Sequence, residues 1–370
     1  MILGASAEQE ELRASVRRFL ADRAPMSRVR ELMDDGETDW TVWEQAGSQL
    51  GLQGLAIPES YGGAGFSFAE QAVVLEEFGA ALYGGPYLAS AVLAATALLA
   101  SPDEGARRGL LPDIASGQTV ATLAFTEDGG SWDPAAIRLS AVKDGEAWRL
   151  DGHKSFVLDG ATAGLILVVA TTDAGLSLFA VEGDADGLSR AALPALDQTR
   201  QLARLEFAGV TGRLIGSPGD GAAALDRALD VAAVALAAEQ LGGAQRALDM
   251  AVEYAKTRRQ FDRPIGSFQA IKHRCADLLL EVESLRSAVG YAAAAVAEDS
   301  AEIPVLASLV KAYGSETYFH VAAENIQIHG GIGFTWEHDA HLYFKRAKSS
   351  ELLLGDPTYH RELLAQRIGL

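Results

Sequence analysis

Apolar residues recur at helical spacing from the start of the chain, through Leu12, Val16, Phe19 and Leu20 and again through Val73, Val74 and Phe78. Breaks at Pro25, at IPESYGGAGF and at GGP divide the stretch up to Gly117 into four or five predicted helices. From Gln118 to about Gly216 the texture shortens. TVATLAF, WRLDG, GLILVVA, LSLFAVE and ARLEFAG are strand-length runs separated by Gly and Asp, and they predict a β domain, either barrel or sandwich. Beyond Gly219 the helical period returns. An alanine-rich stretch from Ala222 to Thr257 favours a long helix, since alanine has the highest helix propensity. After Pro264 a second helix is expected, with Ile271, Cys275, Leu278, Val282, Leu285 and Val289 forming one continuous buried stripe. A third starts near Pro304, a residue suited to a first helical turn. The fold class predicted is α+β multidomain: an N-terminal helical domain over 1–117, a middle β-barrel or sandwich domain over 118–219, and a C-terminal antiparallel four-helix bundle over 220–370.

Composition narrows the function. With 49% hydrophobic and 22% charged residues over 370 positions, the chain can fold around a core large enough for a cofactor. Fifty acidic against 31 basic residues give a formal charge of −19, which repels phosphate backbones and anionic lipid. Nucleic acid and membrane are therefore poor partners. Any anionic ligand needs a local basic pocket set against that field. Cys275 is the single cysteine, so neither an intrachain disulfide nor a thiolate metal cluster is expected, and a reducing cytoplasm fits. The first twenty residues read as an amphipathic helix rather than a secretory signal. The apolar runs from Ala91 and Val231 are far shorter than the ~20 residues that span a bilayer.

Candidate chemistry concentrates in two C-terminal segments, RRQFDRPIGSFQ (Arg258 to Gln269) and QIHGGIGF (Gln327 to Phe334). Arg258 offers a rigid fork of donors at a helix end, suited to a pyrophosphate. Gln269 and Gln327 donate and accept at once, and the glycines at 330, 331 and 333 permit close backbone approach to a ligand. Taken singly, these are a surface cation and a turn. Together with the helix–β–helix order and LGLQGLAIPESYGGAG, they resemble the acyl-CoA dehydrogenase family, whose segments read R-x-x-F-G-x-P-I-x-x-F-Q and Q-x-x-G-G-x-G-[FY], with Asp262 here replacing a glycine. The resemblance implies that family's fold and an FAD shared between subunits. Arg258, Gln260, Phe261, Gln269, Gln327, Gly330 and Gly331 would hold the adenosine and pyrophosphate end of a neighbour's flavin. It further implies an acyl-CoA substrate desaturated at the α,β position, hydride transfer to flavin N5, an electron-transferring flavoprotein as acceptor, and a tetramer. That tetramer is either a homo-oligomer or a hetero-oligomer with a second chain of the family.

The β domain departs from the family pattern. Where members read T-E-P-x-x-G-S-D, this chain has FTEDGGSWD, keeping Thr126 and Glu127 but putting Ser131 and Trp132 in place of Gly and Ser. Where members read K-x-W-I-T-N-G, it has KSFVLDG, with Phe156 for the tryptophan and Leu158 for the threonine. Thr126, Ser131, Phe156 and Leu158 are the implied flavin contacts on this side. Phe156 can stack on a ring, whereas Leu158 has no hydroxyl to offer. Read without the family, KSFVLDG is a strand ending in an Asp-Gly turn.

The base is displaced as well. The family glutamate of Y-E-G-T falls on Leu354, and the alternative position on the first bundle helix falls on Ala232. Neither accepts a proton. Asp356, just past the glycine, is the first substitute, with helix capping as its competing role. Glu239 is a second, against a packing or ion-pair role, and Glu351 a third; Asp230 is the candidate substrate contact, and no metal site is expected. Three readings follow: a complete dehydrogenase using a displaced carboxylate, a non-catalytic partner subunit that completes a neighbour's FAD site, or a nitroalkane-oxidising relative with an aspartate base.

Overall fold

The structure, a computed structural model, describes residues 6–145 and 147–370. Its helices are α1 (Ala7–Arg23), α2 (Met26–Asp35), α3 (Trp40–Leu50), α4 (Phe68–Ala80), α5 (Ala95–Ala100), α6 (Glu104–Ala115), α7 (Gly221–Thr257), α8 (Gln269–Ala297), α9 (Ile303–His329), α10 (Ala340–Leu352) and α11 (Pro357–Arg367). The strands are β1 (Ala121–Ala124), β2 (Ser140–Asp144), β3 (Ala147–Leu158), β4 (Leu165–Thr172), β5 (Gly175–Glu182), β6 (Leu188–Ala192), β7 (Leu202–Ile215), β8 (Arg259–Gln260) and β9 (Arg263–Pro264). A π-helical stretch at Leu88–Ala94 runs directly into α5. Two compact units result. One holds the described residues through Glu31 with Phe68–Tyr83 and Ala233–Leu370; the other holds Leu32–Ser67 and Gly84–Ala232.

The first unit is helical. Its α1 opens on a capping box, in which Ser6 Oγ accepts the Gln9 N–H at 3.2 Å while Gln9 Oε1 accepts the Ser6 N–H at 3.1 Å. Helices α4 and α7 touch backbone to backbone. A Cβ added to Gly79 would lie 1.9 Å from the Glu239 carbonyl oxygen, and one added to Gly242 would lie 1.7 Å from that of Glu76. Glycine at both positions is what permits this approach. On α8 the expected stripe is buried from Leu278 through Val289. Nearer its start, Ile271 and Cys275 are only half-buried against a small cluster of Ala251, Ala255 and Ile328. The continuous stripe expected from the sequence therefore thins over the first two turns.

The second unit carries a barrel. Strands pair β4–β2–β3–β7–β5 and back to β4, with β1 extending along β4 in parallel and β6 along β7. Closure removes the open edges a flat sheet would expose. Leu165 through Ala170 of β4 are all buried, as the unbroken apolar run demands, whereas β7 alternates with Ala203, Leu205 and Phe207 inward. KSFVL forms the end of β3, and Asp159 and Gly160 turn the chain after it. The register there shifts between Lys154 and Val157, and Phe156 within this bulge takes a left-handed backbone at φ 57°.

Candidate cofactor and active site

In the helical unit, Arg258 follows α7 and leads into the β8–β9 hairpin. Its turn residues Phe261 and Asp262 both have positive φ, 53° and 63°. An aspartate tolerates that conformation, which explains how Asp262 can stand where the family has glycine. Phe261 is 85% exposed and meets Phe268 edge-on at 6.1 Å, while Arg263 sits over the Phe268 ring at 4.0 Å. Gln269 opens α8, Gln327 lies in the last turn of α9, and Gly330 turns the chain with φ 64°. Arg258, Gln260, Phe261, Gln269, Gln327, Gly330 and Gly331 are all exposed. The side chains of Arg258, Gln260, Gln269 and Gln327 make no hydrogen bond or ion pair among the described residues. These donors are available to something outside the chain.

In the barrel unit the expected flavin contacts divide between buried and exposed positions. Thr126 and Leu158 are buried, and the Leu158 carbonyl accepts the Thr122 hydroxyl at 2.5 Å. Ser131 Oγ accepts the Asp133 N–H at 3.2 Å. Trp132 packs against Phe125 at 5.8 Å, and Phe156 keeps 36% of its surface exposed. Beside them lies an ionic network that sequence reasoning missed. Lys154, fully buried, donates to the Phe125 carbonyl at 2.9 Å and to Glu127 Oε1 at 3.0 Å. The same oxygen accepts the N–H groups of Arg138 and Leu139 at 2.8 and 2.7 Å. Burial alone would raise the Glu127 carboxyl, but those two N–H groups and Lys154 outweigh it and hold it below its ordinary value. Burial pulls the Lys154 ammonium down to about 8 against the attraction of Glu127. Asp128, where the family has proline, is held at about 2 by Arg204 and Ser155, and contacts His153 Nε2 at 3.1 Å. Ion pairs of Glu127 and Asp128 and the β3 bulge thus lie beside Thr126, Phe156 and Leu158 in the chain.

Around the turn between α10 and α11 the structure gathers Leu354, Asp356, Lys311, Glu351 and His360. Leu354 is buried with φ 62°. Asp356 is exposed and caps α11, its Oδ1 accepting the Tyr359 N–H at 2.8 Å. Glu351 bonds Lys348 at 2.9 Å. Glu239 lies elsewhere, buried on α7, where it accepts from Arg346 at 2.7 Å. Ala232 and Asp230 on the same helix are buried too. Lys154 stands at the lysine of the K-x-W-I-T-N-G segment, but nothing in the pattern around it or around Lys311 signals a buried ammonium bonded to backbone carbonyls.

Family models for the N-terminal, middle and C-terminal domains of acyl-CoA dehydrogenases match residues 6–118, 122–210 and 219–369. Acyl-CoA dehydrogenase IpdE2 of Mycobacterium tuberculosis is 37% identical over 358 residues, covering 96% of this chain and 95% of the relative. Among solved structures, the steroid ACAD Tcur3481–Tcur3483 shares 35% identity with a TM-score of 0.89, covering 98% of this chain and 97% of that one. The ChsE4–ChsE5 complex from Mycobacterium tuberculosis shares 31% identity with a TM-score of 0.91, covering 100% and 99%. The chain belongs to the acyl-CoA dehydrogenase family, flavoprotein oxidoreductases acting on CH–CH bonds.

Proposed function

We propose that this chain is the non-catalytic partner subunit of a heteromeric acyl-CoA dehydrogenase, completing the FAD site of a second, catalytic chain. One contrast carries the reading: all seven positions for the far end of a neighbour's flavin are exposed, whereas of the contacts for a flavin of its own Thr126 and Leu158 are buried and only Ser131 and Phe156 are exposed. The residues present fit the adenosine and pyrophosphate half of the cofactor and not the isoalloxazine half. FAD, when bound, supplies the acceptor for the substrate hydride. What this chain adds is the Arg258 guanidinium against the pyrophosphate, with Gln269 and Gln327 as polar contacts and the Gly330–Gly331 backbone in close approach. Leu354 accepts no proton, Glu239 is neutralised by Arg346, and Asp356 serves as a helix cap. The α-proton therefore goes to a carboxylate on the partner.

Two relatives are named as pairs of different chains and one of them as a steroid ACAD, which supports a hetero-oligomer and a bulky, steroid-derived acyl-CoA thioester as substrate. An electron-transferring flavoprotein would take the electrons onward. The test is anaerobic flavin bleaching by acyl-CoA thioesters, with this chain alone and co-purified with a catalytic acyl-CoA dehydrogenase chain. Bleaching by the pair and not by this chain is expected; a flavin-loaded, bleachable preparation of this chain alone overturns the reading.

A further inference from the structure

The turn from Leu353 to Asp356 is held from below by a buried cation. Lys311 of α9 has no exposed surface, and its Nζ lies 2.8 Å from the Gly355 carbonyl, 3.1 Å from the Glu351 carbonyl and 3.0 Å from Ser315 Oγ. Three acceptors at these distances take three N–H groups, which the ammonium has and the neutral amine lacks. Ser315 Oγ is itself fixed by the Gln240 amide of α7 at 3.0 Å. From the other side, buried His360 donates Nε2–H to the Leu354 carbonyl at 2.9 Å while its Nδ1 finds no partner, so the ring stands neutral.

The turn needs holding. Leu354 and Gly355 adopt φ values of 62° and 105°, and a leucine adopts the left-handed region only under external constraint. The place of Gly355 is tight as well, since an added Cβ would fall 2.3 Å from Tyr359 Cδ1.

We propose that Lys311 is the positioning residue of the α10–α11 turn, and that the turn keeps its left-handed backbone only while that ammonium keeps its proton. The charged and titratable groups facing it are Glu351 from α10, whose carboxylate is tied to Lys348, and Asp356 and His360 from α11, with Arg367 acting on His360. Helix α7 contributes the neutral Gln240, and α9 the neutral Ser315. Burial brings the ammonium down to about 7 against the pull of Glu351 and Asp356, and brings His360 down to about 4, so Lys311 is the group that changes charge between pH 6 and 9. The inference stands apart from the partner-subunit reading, because it concerns the turn's backbone and not what residue 354 does.

The experiment is hydrogen exchange on the full chain between pH 6 and 9, read on peptides across 349–361 and corrected for the intrinsic pH dependence of exchange. Protection of that segment is expected to fall at least about tenfold over this range while peptides from α8 stay unchanged. In Lys311→Met, protection should already be low at pH 6 and no longer vary with pH. Adding Leu354→Gly should recover most of it, because glycine takes the left-handed backbone without strain. Constant wild-type protection overturns the proposal even if the variant fails to fold. So does a loss in Lys311→Met that spreads evenly over α9 and α10 and is not recovered by Leu354→Gly, which would mark a packing role.

Discussion

Leu354 and Asp356 sit two residues apart on one turn, yet their environments assign them different tasks. Leu354 is buried, whereas Asp356 is exposed and spends an oxygen on the Tyr359 N–H. Asparagine caps a helix about as well as aspartate, so at pH 6, on the side of the Lys311 titration where the ammonium keeps its proton, Asp356→Asn should leave stability nearly unchanged, while Asp356→Ala should cost about 1 kcal/mol in urea unfolding. If Asp356 is only a cap, the assembled enzyme carrying Asp356→Asn turns over within about twofold of wild type; removal of a general base costs about 10²–10⁴-fold. Steady-state rates of the complex decide between the two. Arg258 invites the complementary test, because its guanidinium is exposed and unengaged among the described residues. Losing a charge-assisted contact costs about 1.5–3 kcal/mol, so Arg258→Ala should weaken FAD binding by the assembly roughly 10- to 100-fold. Equal flavin retention after dilution and gel filtration would remove Arg258 from the site.

At the scale of elements, the long helices and the strands of the barrel were legible because their apolar periods are long and unbroken, as in α7 and in β4 from Leu165 to Ala170. The N-terminal half of α8 was less so. Ile271 and Cys275 continue the spacing of the stripe, but the described residues supply only a small cluster to cover them. The two C-terminal segments stood out as family motifs through residue type and spacing together, whereas the Lys154 and Lys311 interactions were not legible, since each joins a side chain to backbone carbonyls far along the chain. The β3 end illustrates the cost of such pairing. Glu127 anchors Lys154 and the Arg138–Leu139 backbone, with its folded pKa held below the unfolded one. Its stabilisation is therefore complete above the ordinary carboxylate pKa and is lost as pH falls through the folded value. Glu127→Gln leaves Lys154 buried without its counter-charge and should cost about 3 kcal/mol at pH 7. The gap between variant and wild type should close as urea unfolding is repeated from pH 5 down to pH 3. A gap independent of pH would show that Glu127 contributes by packing alone.

At the scale of the whole molecule, the net charge of −19 sets the terms of assembly. Two copies of so acidic a chain repel one another more than this chain repels a less acidic partner, and the repulsion is screened by salt. The exposed apolar side chains of the helical unit, Phe261, Phe334, Trp336 and Leu280 among them, favour coverage by another protein surface. If the covering chain brings the flavin cradle and the base, each pair of unlike chains holds one FAD, and a dimer of such pairs holds two. Sedimentation of the co-purified complex should then give a tetramer of two unlike pairs with a flavin-to-chain ratio of about one half. The ratio discriminates where mass does not, because a homotetramer of self-sufficient subunits sediments similarly but binds one FAD per chain. A ratio near one, measured by flavin absorbance against amino-acid analysis, would mean that the barrel unit of this chain cradles a flavin after all. The ion pairs of Glu127 and Asp128 beside Phe156 and Leu158 would then have to be compatible with a bound flavin, and His153→Ala, which loosens the Asp128 cluster, would leave that ratio near one.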